Sequence, residues 1–147
     1  MKALREPKKT ALLLTLGGVI LLAALLVFGA MRGSRAVSAE LASTQGERVA
    51  FLDSCGWQVD PQSETEKQIH IPERFGDVYE RYNDLQRQQG YDLEPFRGMD
   101  CTMYSYAVEN WPDASQEVIA DLYIRNDRVI GGDVHSTALN GFMIGIK

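Results

Sequence analysis

The feature that most constrains this chain is an uncharged apolar run from Ala11 to Ala30 that holds eight leucines. As a helix rising about 1.5 Å per residue, twenty residues span roughly 30 Å, the thickness of a bilayer's hydrocarbon core. A helix satisfies its own backbone donors and acceptors, as lipid requires. The rival reading is a signal peptide cleaved near Val37-Ser38-Ala39. Against it, the run exceeds the usual signal core of about 7–15 residues, and Arg32 and Arg35 stand between the run and that cleavage point. The expectation is an uncleaved single-pass anchor in the cell membrane. Lys2, Arg5, Lys8 and Lys9 precede the run and only Arg32 and Arg35 closely follow it. That excess puts the N-terminus in the cytoplasm and the C-terminal domain outside it.

Charge divides the chain in the same place. Residues 1–35 carry a net charge of +5 and residues 36–147 a net −10, within a total of −5. An acidic domain lacks the basic face that general nucleic-acid binding needs, so no nucleic-acid partner is expected. Disorder is excluded as well, because 45% apolar residues and thirteen aromatics can build a core. The division is then a basic tail at 1–10, a transmembrane helix at 11–31, a linker at 32–43 and a folded domain at 44–147.

Within the domain, Thr44-x-x-Glu47 has the pattern of a capping box and opens a helix through Cys55, with Gly56 suited to its left-handed end. Trp57–Val59 alternates as a short strand, Pro61–Thr65 reads as a polar turn and Lys67–Ile71 as a strand. Pro72 suits the start of a second helix, with Phe75, Val78, Tyr79, Tyr82 and Leu85 at helical spacing and Gly90 closing it. Cys101–Val108, Glu117–Arg125 and Arg128–Ser136 read as three strands, the last two joined at Asn126-Asp127, residue types that tolerate positive φ. Residues 137–147 have no clear assignment. The pattern predicts an α+β fold, with two helices packed on one face of an antiparallel sheet of three to five strands.

The chemistry-bearing residues are few. Asp133 and His135 lie two apart on a predicted strand, hence on one face. With a third ligand they could hold a metal, but no recognised ligand spacing occurs, and a polar sheet face without metal or cofactor is expected. Tyr104 and Tyr106 share one strand face and, with Tyr79 and Tyr82, are candidates to line a ligand groove; their spacing also suits core packing. Cys55 and Cys101 could form a disulfide outside the cytoplasm or remain two buried thiols. Trp111-Pro112-Asp113 resembles the acid loop of tyrosine phosphatases. However, no Arg stands six residues after either cysteine, so the segment reads as a turn. Gly131-Gly132 lacks the context of a phosphate loop and marks a bulge or a close backbone approach.

Phe51-Leu52, Gly56-Trp57, Ile71-Pro72, Val78-Tyr79, Tyr82 and Gln89-Gly90-Tyr91-Asp92-Leu93 together resemble the bacterial domain-of-unknown-function family numbered 4830. Val129-Ile130-Gly131-Gly132-Asp133 and Gly141-Phe142-Met143 with Gly145 are its most specific part. The resemblance covers residues 47 to about 146 and implies a short membrane-anchored protein with no assigned activity. Without a catalytic set, the expected function is a non-catalytic binding or interaction module. Its partner would be an envelope protein or a small molecule. The alternatives are a small-molecule sensor and an envelope enzyme using Asp133 and His135.

Overall fold

The computed structural model describes residues 40–147. The expected membrane helix at 11–31 and linker residues 32–39 lie outside the described residues. Among the described residues no helix is long and apolar enough to cross a membrane.

Helix α1 runs from Gln45 to Ser54 and α2 from Asp77 to Gln88. Strands β1 (Thr65–His70), β2 (Asp100–Ala107), β3 (Val118–Arg125), β4 (Arg128–Ser136) and β5 (Met143–Gly145) form one sheet in chain order, every neighbouring pair antiparallel. The capping box forms as expected. Thr44 Oγ1 accepts from the Glu47 amide and the Glu47 carboxylate accepts from the Thr44 amide. Gly56 and Gly90 follow the two helices at φ +96° and +89°. Asn126 and Asp127 turn the β3–β4 hairpin with φ of 49° and 62°, the left-handed pair that matches strand twist. Tyr123 pairs with Gly131 but Ile124 pairs with Val129, so Ile130 is the extra residue of a β-bulge.

Three expectations need correction. The second helix begins at Asp77 rather than Pro72, because residues 72–76 form a loop that ends at the N-cap Gly76. Trp57–Val59 makes only an isolated bridge between Val59 and Val108. The two helices cover opposite faces of the sheet, not one. Phe51 and Leu52 of α1 pack with Tyr106, Ala120, Leu122 and Val134. Tyr79 and Tyr82 of α2 pack with Cys101, Ile130 and Tyr123. Neighbouring strand residues point to opposite sides, and here both sides carry apolar chains, so each needs its own cover. The unassigned tail supplies β5 and the buried Ile146.

Candidate functional site

Strand register places a row of short polar side chains across the face that α2 only partly covers. Ser105 on β2 stands opposite Asp121 on β3, and Asp121 stands opposite Asp133 on β4. His135 is two residues further along β4, on the same face. Asp133 is 1% exposed, Asp121 7%, and the His135 side chain 26%. The two predicted residues do meet: His135 Nδ1 lies 2.9 Å from Asp133 Oδ1. The other Asp133 oxygen accepts from the Tyr82 hydroxyl of α2 at 2.6 Å. Asp121 accepts from Ser105 Oγ at 2.5 Å, and its second oxygen lies 3.9 Å from His135 Nδ1.

Like charges opposite each other on paired strands are unfavourable, and these two are buried. Burial pushes the Asp121 carboxyl above the usual carboxylate range; the Asp133 charge adds to this, and the Ser105 hydrogen bond and His135 oppose it. The hydrogen bond to Asp133 raises the His135 imidazole above its ordinary value, against the effect of burial. Burial drives the Tyr82 phenol far upward, and the Asp133 charge drives it further, so Tyr82 stays a donor.

These directions fix the sign of a pH dependence. A histidine raised in the folded state stabilises the fold below its unfolded pKa of about 6.5, and that contribution is lost as pH rises through the folded value. Asp121, also raised, works in the same direction from about pH 4 upward. In metal-free buffer the melting temperature is therefore expected to fall as pH rises from about 6.5 through the raised folded-state value of His135. In His135→Gln that fall should flatten. A wild-type profile that rises over this interval would contradict the assignment.

A groove of about 420 Å³ adjoins the cluster and is lined by Val78, Arg81, Tyr82, Leu85 and Met143. Met143 is the cross-strand neighbour of His135. Val78 is 74% exposed and Met143 50%, so apolar side chains reach the surface beside the buried carboxylates. A larger groove of about 700 Å³ runs along α1 between Val49 and Trp57, but its acidic groups, Asp53 and Glu109, are exposed.

The other sequence candidates lie elsewhere. Tyr104 and Tyr106 pack on the opposite face, beneath α1, where both meet the buried Arg48. They do not line the groove, because even and odd positions of β2 serve different faces. Cys55 and Cys101 are free thiols and are not brought together. Cys55 packs in the α1 cluster and Cys101 in the α2 cluster, with the sheet between them. Asp113 turns the Trp-Pro-Asp segment by accepting from the Ser115 amide, and Trp111 stacks on Phe142 at 4.3 Å. The Ser136 hydroxyl accepts from the Ala138 amide and has no bond to His135.

Sequence reasoning missed Asp121, Ser105 and the role of the Tyr82 hydroxyl. Asp121 carried a signal: it is one charge inside the otherwise apolar stretch Val118–Ile124. Only the β3–β4 register, set by the Asn126-Asp127 turn and the bulge, puts it opposite Asp133.

The model of the family Domain of unknown function (DUF4830) matches residues 51–134, more than half of the chain. The chain belongs to that family. The matched span includes Asp121 and Asp133 and ends one residue before His135. No curated protein and no solved structure matches the chain.

Proposed function

We propose that this member of the DUF4830 family is a non-catalytic binding module, held by a single-pass membrane anchor with its domain outside the cytoplasm. It takes a small amphiphilic molecule in the groove between α2 and β5. The apolar run at Ala11–Ala30 and the basic excess before it support the anchor and its orientation. The observation that carries the binding reading is the junction of two unlike surfaces. Val78, Leu85 and Met143 offer an apolar wall and Arg81 a cationic contact within it, while Tyr82 of the same wall is fixed from behind by its hydrogen bond to Asp133. Apolar concavities with a few convergent polar groups are the usual form of small-molecule sites.

Thermal-shift screening of the full chain in lipid nanodiscs, with small amphiphiles of either charge, tests this. A ligand at about 100 times its dissociation constant adds about 2.7 kcal/mol to stability, so a genuine one raises the melting temperature in a concentration-dependent way. The shift should disappear in Val78→Asp, whose exposed position leaves the core intact. Absence of any shift across such a series would leave a protein partner as the better reading. Turnover of a bound compound, lost in Asp133→Asn, would make the domain an enzyme.

A further inference from the structure

We propose that Asp121, Asp133 and His135 form a binding site for one divalent first-row transition cation, with water completing its coordination. This goes beyond the groove reading and does not depend on it, because the three ligands project from the sheet and the groove's wall comes largely from α2.

One carboxylate oxygen from each aspartate and the imidazole Nδ1 all lie within 4.8 Å of one another. His135 Nδ1 and Asp133 Oδ1 are 2.9 Å apart. Two ligands held at about 2.1 Å from a metal and at right angles to each other would be separated by about 3.0 Å. The Asp121 oxygen is 3.9 Å from the same Nδ1, about 0.9 Å beyond that separation. The donors are two hard oxygens and one borderline nitrogen, a set that suits Mn²⁺, Co²⁺ or Zn²⁺ and gives a soft cation no thiolate.

Two further observations point to a cation here. First, the Asp121 side chain is 10% exposed, and among the described residues its second oxygen accepts no hydrogen bond, touches solvent and is turned towards the cluster, where an entering cation can reach it. Second, among the described residues neither carboxylate has a Lys or Arg within 4 Å; His135 is their only ion-pair partner. Lys67 acts on Asp121 only from beyond that distance, so the close partners of the two carboxylates amount to at most one imidazolium, and buried charge is ordinarily paired or bound to metal. The surroundings orient the free oxygens. Ser105 Oγ occupies one oxygen of Asp121 and the Tyr82 hydroxyl one oxygen of Asp133; the other Asp121 oxygen and Asp133 Oδ1, whose partner is His135 Nδ1 itself, face the same point. Fixing of ligand carboxylates by outer hydrogen bonds is what holds a metal site in geometry.

The test uses the full chain purified in detergent, stripped with a chelator and titrated with cobalt chloride. Visible d–d absorption is read alongside zinc calorimetry. Wild type should bind one equivalent saturably. His135→Ala and Asp121→Asn should each weaken binding by more than about tenfold, with thermal unfolding before metal addition confirming that each variant is folded. If Asp121→Asn does not fold, the partly exposed His135→Ala carries the comparison. No saturable cobalt or zinc binding by wild type at millimolar metal would overturn the proposal, as would equal affinity in His135→Ala. Val78→Asp, which spoils the groove, should bind cobalt like wild type, so failure of the groove and failure of the metal site are read separately.

Discussion

Replacing Arg48 with Met is expected to destabilise the domain by about 3–5 kcal/mol, the range for breaking a buried ion pair from one side. Arg48 is 4% exposed on α1. Its Nε and Nη2 hold the Glu64 carboxylate at 3.0–3.2 Å, and Nε also meets the Tyr106 hydroxyl at 2.9 Å. Nη1 donates to the carbonyls of Ala42 and Ser43 at 3.0 and 3.1 Å, and the guanidinium lies 3.6 Å from the centre of the Tyr104 ring. Methionine keeps the bulk but strands the Ala42 and Ser43 carbonyls and leaves the Glu64 carboxylate only the Tyr106 hydroxyl among these partners. For a domain of about 100 residues the loss corresponds to a fall of well over 10 °C in melting temperature. Lysine keeps the charge without the planar fork and should fall in between. Adding Glu64→Gln to Arg48→Met should recover part of the loss, because the stranded group is then neutral. Equilibrium urea unfolding of the full chain measures all three. A loss below about 1 kcal/mol in Arg48→Met would mean that the network adds no more than a surface pair does.

That network also shows where the sequence was opaque. Tyr104 and Tyr106 were legible as a pair on one strand face, but not which face. What decides it is Arg48, a charged residue that a hydrophobicity pattern assigns to water, and Glu64, which sits in a segment that reads as a polar turn. Short-range signals held where the physics is local. The capping box, the glycines after both helices, the Asn126-Asp127 turn and the bounds of β4 each depend on neighbouring residues alone. The buried face of α2 did not follow from its apolar spacing. Val78 is exposed, whereas Asn83 and Gln86 are fully buried. Asn83 is drawn inward because its side chain accepts from the Leu93 amide and donates to Asp92. Gln86 is drawn inward by the backbone of Gly132. For the candidate site the sequence supplied Asp133 and His135, whose spacing is local. Asp121, Ser105 and Tyr82 join them only through strand register and helix docking, both long-range.

Gly132→Ala should be the most damaging single-methyl change in the domain, costing about 3 kcal/mol, the upper end for overpacking a core. A Cβ at Gly132 would lie 2.2 Å from Ile146 Cδ1 and 2.3 Å from the Asp121 carbonyl oxygen. The isoleucine can rotate aside. The carbonyl cannot move without parting β3 from β4. On the other side of Gly132, α2 mends the sheet. Gln86 accepts from the Gly132 amide at 2.9 Å and donates to its carbonyl at 3.0 Å. Gln89 donates to the same carbonyl at 2.8 Å and accepts from the Ile146 amide at 2.7 Å. The two glutamines thus supply hydrogen bonds between Gly132 and Ile146, just beyond the last paired residues of β4 and β5. Asp121 and Asp133 flank the strained point, so the substitution should also disturb the Asp133–His135 hydrogen bond. The imidazole titration, followed by NMR, should then move back toward its ordinary range. Gly46→Ala is the opposite-sign control: nothing lies within 4 Å of its added methyl on α1, and a helical Gly→Ala change stabilises by up to about 1 kcal/mol. If Gly132→Ala unfolded within about 1 kcal/mol of wild type, the sheet would accommodate a side chain at this position. The close approach of the Asp121 carbonyl would then not constrain the distance between β3 and β4 on which the cluster depends.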